Sequence, residues 1–486
     1  MNREPVPYRG DDVLLFGIIL GVLAFWLFAQ TTLNIAPAMA ADLAITTNVM
    51  NIAVSITALF SGIFIVVVGG LADRVGRVKI LQWGFTLSIV GSLLVAIAPA
   101  GALAVPLLML GRICQGLSGA FIMPASLALI KAYWDEAGRQ RAVSLWSMGS
   151  WGGSGFAALF GGLMAENVGW RWIFLAAAAV SLIGLLMVRG TPESKAPDGE
   201  YQFDTMGVLT FMVTMVALQI LATQGSEIGW TSPVALALGV LAMLCGALFV
   251  RTEMSARHPF VNFALFRNPI YTGATISNFL LNGVAGMLLV SMMLVQLGGG
   301  LTAQEAGMLT LGYAIAIVLF IRVGEKLLQR FGARQPMIWG SLIVGVSIAM
   351  LMPTHVLIGQ YTTLAVAAYT LFGLGLAFYA TPSTDAALSN LPNSQAGSGS
   401  GIYKMASSLG ASFGVAISAA IFTTLSADAA STRWLDGVIT FAGRQDNVVV
   451  RRAAMVALAF NLLMVVAAIV SIVLTVPKGR TPGGNR

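Results

Sequence analysis

Charge is scarce in this sequence. Lysine, arginine, aspartate and glutamate make up 10% of its 486 residues, against roughly a quarter in an ordinary soluble domain. That shortage excludes a soluble chain, which needs a charged surface. Histidine occurs twice, at His258 and His355, each isolated near the end of a predicted segment. A histidine metal centre is therefore excluded. The two cysteines, Cys114 and Cys245, both fall inside predicted helices, so no disulfide framework and no zinc spacing is present. Neither a metal nor a cofactor is expected. No histidine–carboxylate cluster or nucleophile triad supports an enzyme. The run GSGSGIYKM (397–405) superficially resembles a phosphate loop. Tyr403 stands where the loop needs glycine and Met405 where it needs Ser or Thr, which argues against an ATP-driven pump.

What the chain has in abundance is apolar residues: 57% of the total, with mean hydropathy +0.85. They come in long uncharged blocks, the membrane signature. The first block, Val13–Ala41, is too long for a signal-peptide core and is read as a retained membrane helix. At about 20 residues per span the chain holds about fourteen spans, centred near Gly21, Ala58, Ile89, Leu117, Phe156, Ala178, Met215, Ala242, Gly286, Ala316, Val344, Phe372, Ser412 and Val465. The net charge of +7 reflects basic loops and not a nucleic-acid partner.

Those loops set the orientation. Arg3 and Arg9 precede the first span. Arg74, Arg77 and Lys79 follow the second, Lys131, Arg139 and Arg141 the fourth, and Arg189 and Lys195 the sixth. Arg251, Arg257 and Arg267 follow the eighth, and Lys326, Arg330 and Arg334 the tenth. Lys478, Arg480 and Arg486 come last. All fall on one side, which predicts cytoplasmic termini. The exception is an expected external loop at about 427–452. It carries Arg433, Arg444, Arg451 and Arg452, offset by Asp428, Asp436 and Asp446.

The sequence also echoes itself. LADRVGR (71–77) follows the second span and LQRFGAR (328–334) the tenth. Two related six-helix bundles are implied, 1–188 and 269–486. Between them lies an inserted helix pair, 206–251, flanked by cytoplasmic linkers at 189–205 and 252–268. Repeats of this kind place a substrate path between transporter halves.

GGLADRVGRVKI (69–80) is the most specific stretch. Gly69 and Gly70 permit close helix approach. Asp73 can accept backbone donors at a helix start or pair with a base. Gly76 suits a positive φ. Arg74, Arg77 and Lys79 face an anionic leaflet. An ordinary basic loop explains neither the glycines nor Asp73. Arg112, inside the fourth span, shares a face with Gln115, Gly116 and Gly119. An intramembrane arginine faces a cavity or clamps neighbouring helices.

The G-x-L-A-D-R-x-G-R pattern resembles the signature loop of the major facilitator superfamily. LMLGRICQGLSGA (108–120) resembles its fourth-helix motif, and WRWIF (170–174) resembles the fourteen-helix drug:proton antiporter branch. AVSITALFSG (53–62), SMGSWGGSG (147–155), YTGATISNFLLNGVAG (271–286), RVGEKLLQ (322–329), YATPSTD (379–385) and GIYKMASSLG (401–410) are similar to its staphylococcal Nor-type quinolone exporters. The resemblance implies an all-α membrane protein with the major facilitator fold and fourteen helices as 6+2+6. It also implies a conformational gate at Gly70, Asp73, Arg74, Gly76 and Arg77, with Asp73 and Arg77 latching the cytoplasmic side. Arg112 would take part in proton coupling. Two departures stand out. Ala29 occupies the place of an acid that many relatives carry in span one, and Ala157-Ala158 replace Gly-Pro before Gly161-Gly162.

Lys404 is the only charged residue or histidine between Ala386 and Ala427. It is expected about eight residues into span thirteen, with Asp385 the same distance before the end of span twelve. At 1.5 Å per residue that is roughly 12 Å of depth for each. Either charge alone costs about 2.5–3.5 kcal/mol on insertion scales, so a buried Asp385–Lys404 pair, or a shared watery cavity, is expected. A purely structural bridge is the competing reading. Asp385 is the only carboxylate expected well inside a span, which suits it to proton exchange. Trp26, Gln30 and Asn34 recur every fourth residue, as do Asn278 and Asn282. With Gln115, Trp151, Tyr379 and Tyr403 they sketch a cavity for flat amphipathic compounds, although each alone suits helix packing equally well.

The function expected is proton-coupled drug export by a monomer in the bacterial inner membrane, in contact with lipid. The alternative is a transporter of an organic anion or metabolite, exporting or importing. Arg112, Lys404 and the missing acid in span one would favour the latter.

Overall fold

The computed structural model describes residues 8–195, 204–256, 261–427, 432, 439–443 and 445–478. The His258, Arg257, Arg433, Arg444, Asp428 and Asp436 positions lie outside that set, as do Arg3, Arg480 and Arg486. All regular structure among the described residues is helical. In lipid only a helix or a closed barrel satisfies the backbone. Among the described residues twelve helices are long and apolar enough to cross a membrane. The two other expected spans, near Phe156 and Met215, also fall on helical stretches.

The chain divides into two compact units, one drawn from Met1–Asp204 with Leu388–Lys404 and the other from Thr205–Ala387 with Met405–Thr481. The first holds α1 (Asp12–Leu23), α2 (Thr32–Leu43), α3 (Thr47–Val75), α4 (Arg77–Ile97), α5 (Ala104–Tyr133), α6 (Glu136–Ser147), α7 (Gly153–Asn167) and α8 (Trp170–Val188). The second holds α9 (Thr205–Ile228), α10 (Pro233–Ser255), α11 (Pro269–Gly283), α12 (Gly286–Met293), α13 (Ala303–Met308), α14 (Leu311–Phe331) and α15 (Arg334–Leu351). Then come α16 (Ile358–Ser389), α17 (Ala396–Ala427) and α18 (Val448–Thr475). The first unit takes α17 as far as Lys404, and the second takes α16 as far as Ala387.

In the first unit α4 packs on α5 and α8, α3 on α5, and α1 on α8. Lipid gives no hydrophobic drive between helices, so close backbone approach does the work. A Cβ on either Gly91 or Gly111 would lie 2.8 Å from the other's carbonyl oxygen. In the second unit α11 and α15 pack on α18, and α9 on α10. The large side chains Leu236, Met243 and Leu244 of α10 stay exposed, as a lipid-facing helix requires. The sequence echo has a structural counterpart. α3 passes to α4 through Gly76 at φ 125°, and α14 passes to α15 by way of Gly332 at φ 75°.

Four local expectations change. A π-helical turn, Ala24–Ala29, follows α1, and the Gln30 N–H bonds the Phe25 carbonyl at 3.2 Å. The strict four-residue repeat of Trp26, Gln30 and Asn34 is broken there. Arg139 and Arg141 lie on α6 and not in a loop, because Glu136 already begins the helix. α18 begins at Val448, so Arg451 and Arg452 belong to that helix and not to the loop. Last, α16 ends at Ser389. Asp385 is therefore about one turn from its helix end, whereas Lys404 is about two turns inside α17.

Candidate functional site

The signature loop is built around Asp73. Its Oδ1 accepts from Arg77 Nε at 3.1 Å and Nη2 at 2.8 Å. The Gly397 N–H reaches Oδ1 and Oδ2 at 2.8 and 2.9 Å, and the Ser398 N–H reaches Oδ2 at 3.0 Å. These two donors open α17, so a carboxylate on α3 caps the helix that carries Lys404. An anion there is favoured by both the free N–H groups and the helix dipole. The approach demands glycine: a Cβ on Gly397 would collide with the Gly69 carbonyl, and one on Gly69 with the Gly397 carbonyl. Gly70 is buried beside them and Arg74 is half-buried.

Arg77 continues the network. Its Nη1 donates to Ser194 Oγ at 3.0 Å and its Nη2 to the Asn393 carbonyl. The linker residue Glu193 accepts from the Val78 and Lys79 N–H groups at 2.9 and 3.1 Å. It thereby caps α4, and it occupies the space a Cβ on Gly76 would take. With Asp73 5% and Arg77 2% exposed, the pair is a buried one, costly to break from one side.

Lys404 is buried in the same unit. Its Nζ lies 4.9 Å from the ring centre of Trp146 and 5.8 Å from that of Trp26. Trp146 is held in place by its Nε1–H donating to Ser126 Oγ at 2.9 Å. Within this unit no carboxylate among the described residues pairs with Lys404. Indole faces compensate the ammonium in part. Tyr403 is buried next to it in sequence, and Trp151 is half-buried on a π-helical turn, Met148–Gly152.

Arg112 is 1% exposed. Its Nε donates to the Ala53 carbonyl at 3.0 Å, and its Nη1 to the Ala29 carbonyl at 2.8 Å and Gln115 Oε1 at 2.7 Å. Gln115 in turn donates to Ser92 Oγ at 3.2 Å. The π-helical turn before Ala29 shifts the backbone pairing there. Arg112 thus ties α5 to α3 and to the end of the first span. The planar guanidinium fork matches these carbonyl and amide acceptors.

The second unit holds another buried polar set. Ser277 Oγ and Tyr379 OH lie 2.7 Å apart, and Ser383 Oγ donates to Tyr379 OH at 3.0 Å. Asn278 Nδ2 donates to Ser407 Oγ at 2.6 Å, and Asn282 Nδ2 to Asn278 Oδ1 at 2.9 Å. Asp385 is buried on α16, three residues after the in-helix Pro382. The Asn34 side chain lies outside the described residues, and Gln30 is half-buried.

Comparison with known proteins settles the family. A family model described as Major Facilitator Superfamily matches residues 14–415, with a second match at 271–482. The chain belongs to the major facilitator superfamily. It is a membrane transporter and not an enzyme, a multi-pass protein of the bacterial cytoplasmic membrane. The Quinolone resistance protein NorB of Staphylococcus aureus strain MRSA252 is 45% identical over 445 residues, 89% of this chain and 95% of that protein. NorB of strain COL is 44% identical over 473 residues, 97% of each chain. Two solved structures share the fold at low identity. One is the proton:xylose symporter XylE bound to 6-bromo-6-deoxy-D-glucose, with TM-score 0.64, 16% identity and 96% of each chain covered. The other is an outward-facing bacterial homologue of the iron transporter ferroportin, with TM-score 0.60 and 12% identity, covering 95% of this chain and 98% of that one.

Sequence reasoning missed Trp146, Glu193 and Ser194 in this superfamily member. Trp146 follows a polar stretch, EAGRQRAVSL, and reads as an interfacial anchor. Glu193 sits in a linker whose composition gives no sign of capping. The available signal was positional: a carboxylate in the linker can reach the exposed N–H groups at the start of α4.

Proposed function

We propose that this transporter exports flat amphipathic drugs, quinolone-like compounds included, in exchange for protons. The observation that carries the reading is Lys404, buried between two indoles on the helix whose start is capped by Asp73. The start of α17 is held by the signature-loop carboxylate, and about two turns further along the same helix stands a charge beside aromatic rings. The names of the NorB relatives support a drug as cargo. The fourteen-span arrangement with cytoplasmic termini and two six-helix halves is the topology proposed here, supported by the one-sided placement of loop arginines.

In this account Asp385 exchanges the proton and Lys404 is its partner. Among the described residues of its own unit no carboxylate forms an ion pair with Lys404, and Asp385 is a buried acid on a helix that contains Pro382. Protonation of Asp385 releases Lys404 to an acceptor on the substrate. Arg112 contributes a fixed positive field. Gln30, Asn34, Gln115, Trp151, Asn278, Asn282, Tyr379 and Tyr403 are assigned to the walls of the substrate path, and the protein acts as a monomer. The experiment is efflux of norfloxacin from a host stripped of its own pumps, before and after a protonophore is added. Efflux that stops with the gradient supports exchange; efflux that continues unchanged removes it.

A second reading, an organic-anion transporter, is favoured by one feature. The first unit presents buried Arg112 and Lys404, while Ala29 replaces an acid. Inhibition of norfloxacin export by simple carboxylates but not by hydrophobic cations would select it.

A further inference from the structure

The second unit contains a cavity of about 360 Å³, within the range of about 300–1,000 Å³ typical of small-molecule pockets. It lies far along the sequence from the motifs discussed above. Its walls are Leu294, Val356, Leu357 and Ile358 together with glycines 298, 299 and 443. The polar side chains that line it include Tyr361, Asn447 and Arg451. In the proposed orientation it opens on the external face.

Arg451 builds the floor. It is 5% exposed. Its Nε donates to the Thr354 carbonyl at 2.6 Å, Nη1 to the Ala442 carbonyl at 2.8 Å, and Nη2 to the Val356 carbonyl at 2.8 Å. Thr354 Oγ1 returns a bond to the Arg451 carbonyl at 2.8 Å. One guanidinium thus ties two loop segments together beside the cavity, one at 354–356 and one at 442. Asn447 Nδ2 donates to the Gly298 carbonyl, closing another side.

Two polar atoms in this frame are left without partners. Tyr361 is 2% exposed and its hydroxyl has no hydrogen bond; the Oδ1 of Asn447 is buried and has none. A buried polar atom without a partner is destabilising and rare in a native fold. Here one atom is a phenol that donates well and the other an amide oxygen that accepts. Both belong to residues that line a largely apolar cavity.

We infer that this cavity is a second small-molecule site. It takes a flat amphipathic compound bearing a carbonyl or carboxylate acceptor for Tyr361 and an N–H or O–H donor for Asn447. The ring system fills the space between Leu294, Val356 and Ile358. The site goes beyond the transport reading and stands or falls without it.

The test uses the full chain in nanodiscs with Cys114→Ser and Cys245→Ser, and Leu357→Cys as a reporter on the half-exposed rim. Norfloxacin is the probe, since it carries a flat ring, carbonyl acceptors and an amine donor. The expected result is saturable slowing of maleimide labelling at position 357. Tyr361→Phe should raise the half-protecting concentration about five- to tenfold, the effect of one lost hydrogen bond, and Asn447→Ala, which also gives up the bond to the Gly298 carbonyl, should raise it at least as much. Without norfloxacin, Tyr361→Phe should melt no lower than its parent, because the hydroxyl has nothing to lose. Absence of protection overturns the inference, as does equal protection in all three proteins. A lowered melting point for Tyr361→Phe without the probe does so too, by giving the hydroxyl a structural partner. Efflux measured in the same background reads the transport proposal separately.

Discussion

Both carboxylate oxygens of Asp73 accept the backbone N–H of Gly397, at 2.8 and 2.9 Å. This joins the end of α3 to the start of α17. The same carboxylate neutralises Arg77, whose Nη2 donates both to it and to the Asn393 carbonyl in the connection before α17. A change in Asp73 therefore acts on the helix that carries Lys404 without touching Lys404.

Asp73→Asn keeps the shape and removes the charge. Arg77 is then left buried without its counter-ion, a loss of about 3–5 kcal/mol for one-sided breaking of such a pair. The expected outcome is a clear drop in the melting temperature of the detergent-solubilised protein and at least tenfold slower drug efflux. Wild-type melting behaviour in this variant would mean the contact contributes little.

Gly397→Ala tests the close approach independently of charge. The new Cβ meets the Gly69 carbonyl, and overpacking of this kind costs about 1–3 kcal/mol. Ser398→Ala leaves the capping N–H in place and serves as the control. Efflux should fall in the first variant and hold in the second.

Trp146→Leu removes the nearer of the two indole faces from Lys404 while keeping an apolar side chain. A cation–π contact is worth about 0.5–2 kcal/mol. Drug affinity, read by tryptophan-independent equilibrium binding, should weaken about two- to thirtyfold. Trp146→Phe, which keeps a π face, should recover part of it. Equal affinities for the Leu and Phe variants would remove the aromatic wall from the account.

Some of this was legible in the sequence for a simple reason. A charge inside a long apolar run is conspicuous, so Arg112, Asp385 and Lys404 announced themselves. The signature loop was equally clear, since Gly69, Asp73 and Gly76 each suit a different backbone demand. What surrounds these groups was not legible. Trp146 reaches Lys404 through tertiary packing, and periodicity carries no trace of it. α16 ends at Ser389, just ahead of Leu391-Pro392, so Asp385 lies nearer the helix end than the expected eight residues. Arg451 falls within the expected loop at about 427–452, and an arginine at a helix start runs against the dipole. Three carbonyl acceptors reverse that preference.

Arg112→Lys keeps the positive charge and removes the fork. An ammonium cannot reach the Ala53 and Ala29 carbonyls and Gln115 in the same geometry. With a cost of about 1–3 kcal/mol for each buried group left unsatisfied, the variant should unfold at lower temperature and transport poorly. Normal stability with lost efflux would instead assign Arg112 directly to coupling.

The central claim is the proposal that Asp385 exchanges the transported proton. Norfloxacin efflux by Asp385→Asn, measured in everted vesicles with the proton gradient intact and then collapsed, tests it most directly. Lys404→Ala is run alongside to show whether the two side chains act together. The account predicts that imposing the gradient accelerates the parent protein and leaves the Asn variant unchanged. An Asn variant that still accelerates as the parent does would contradict it.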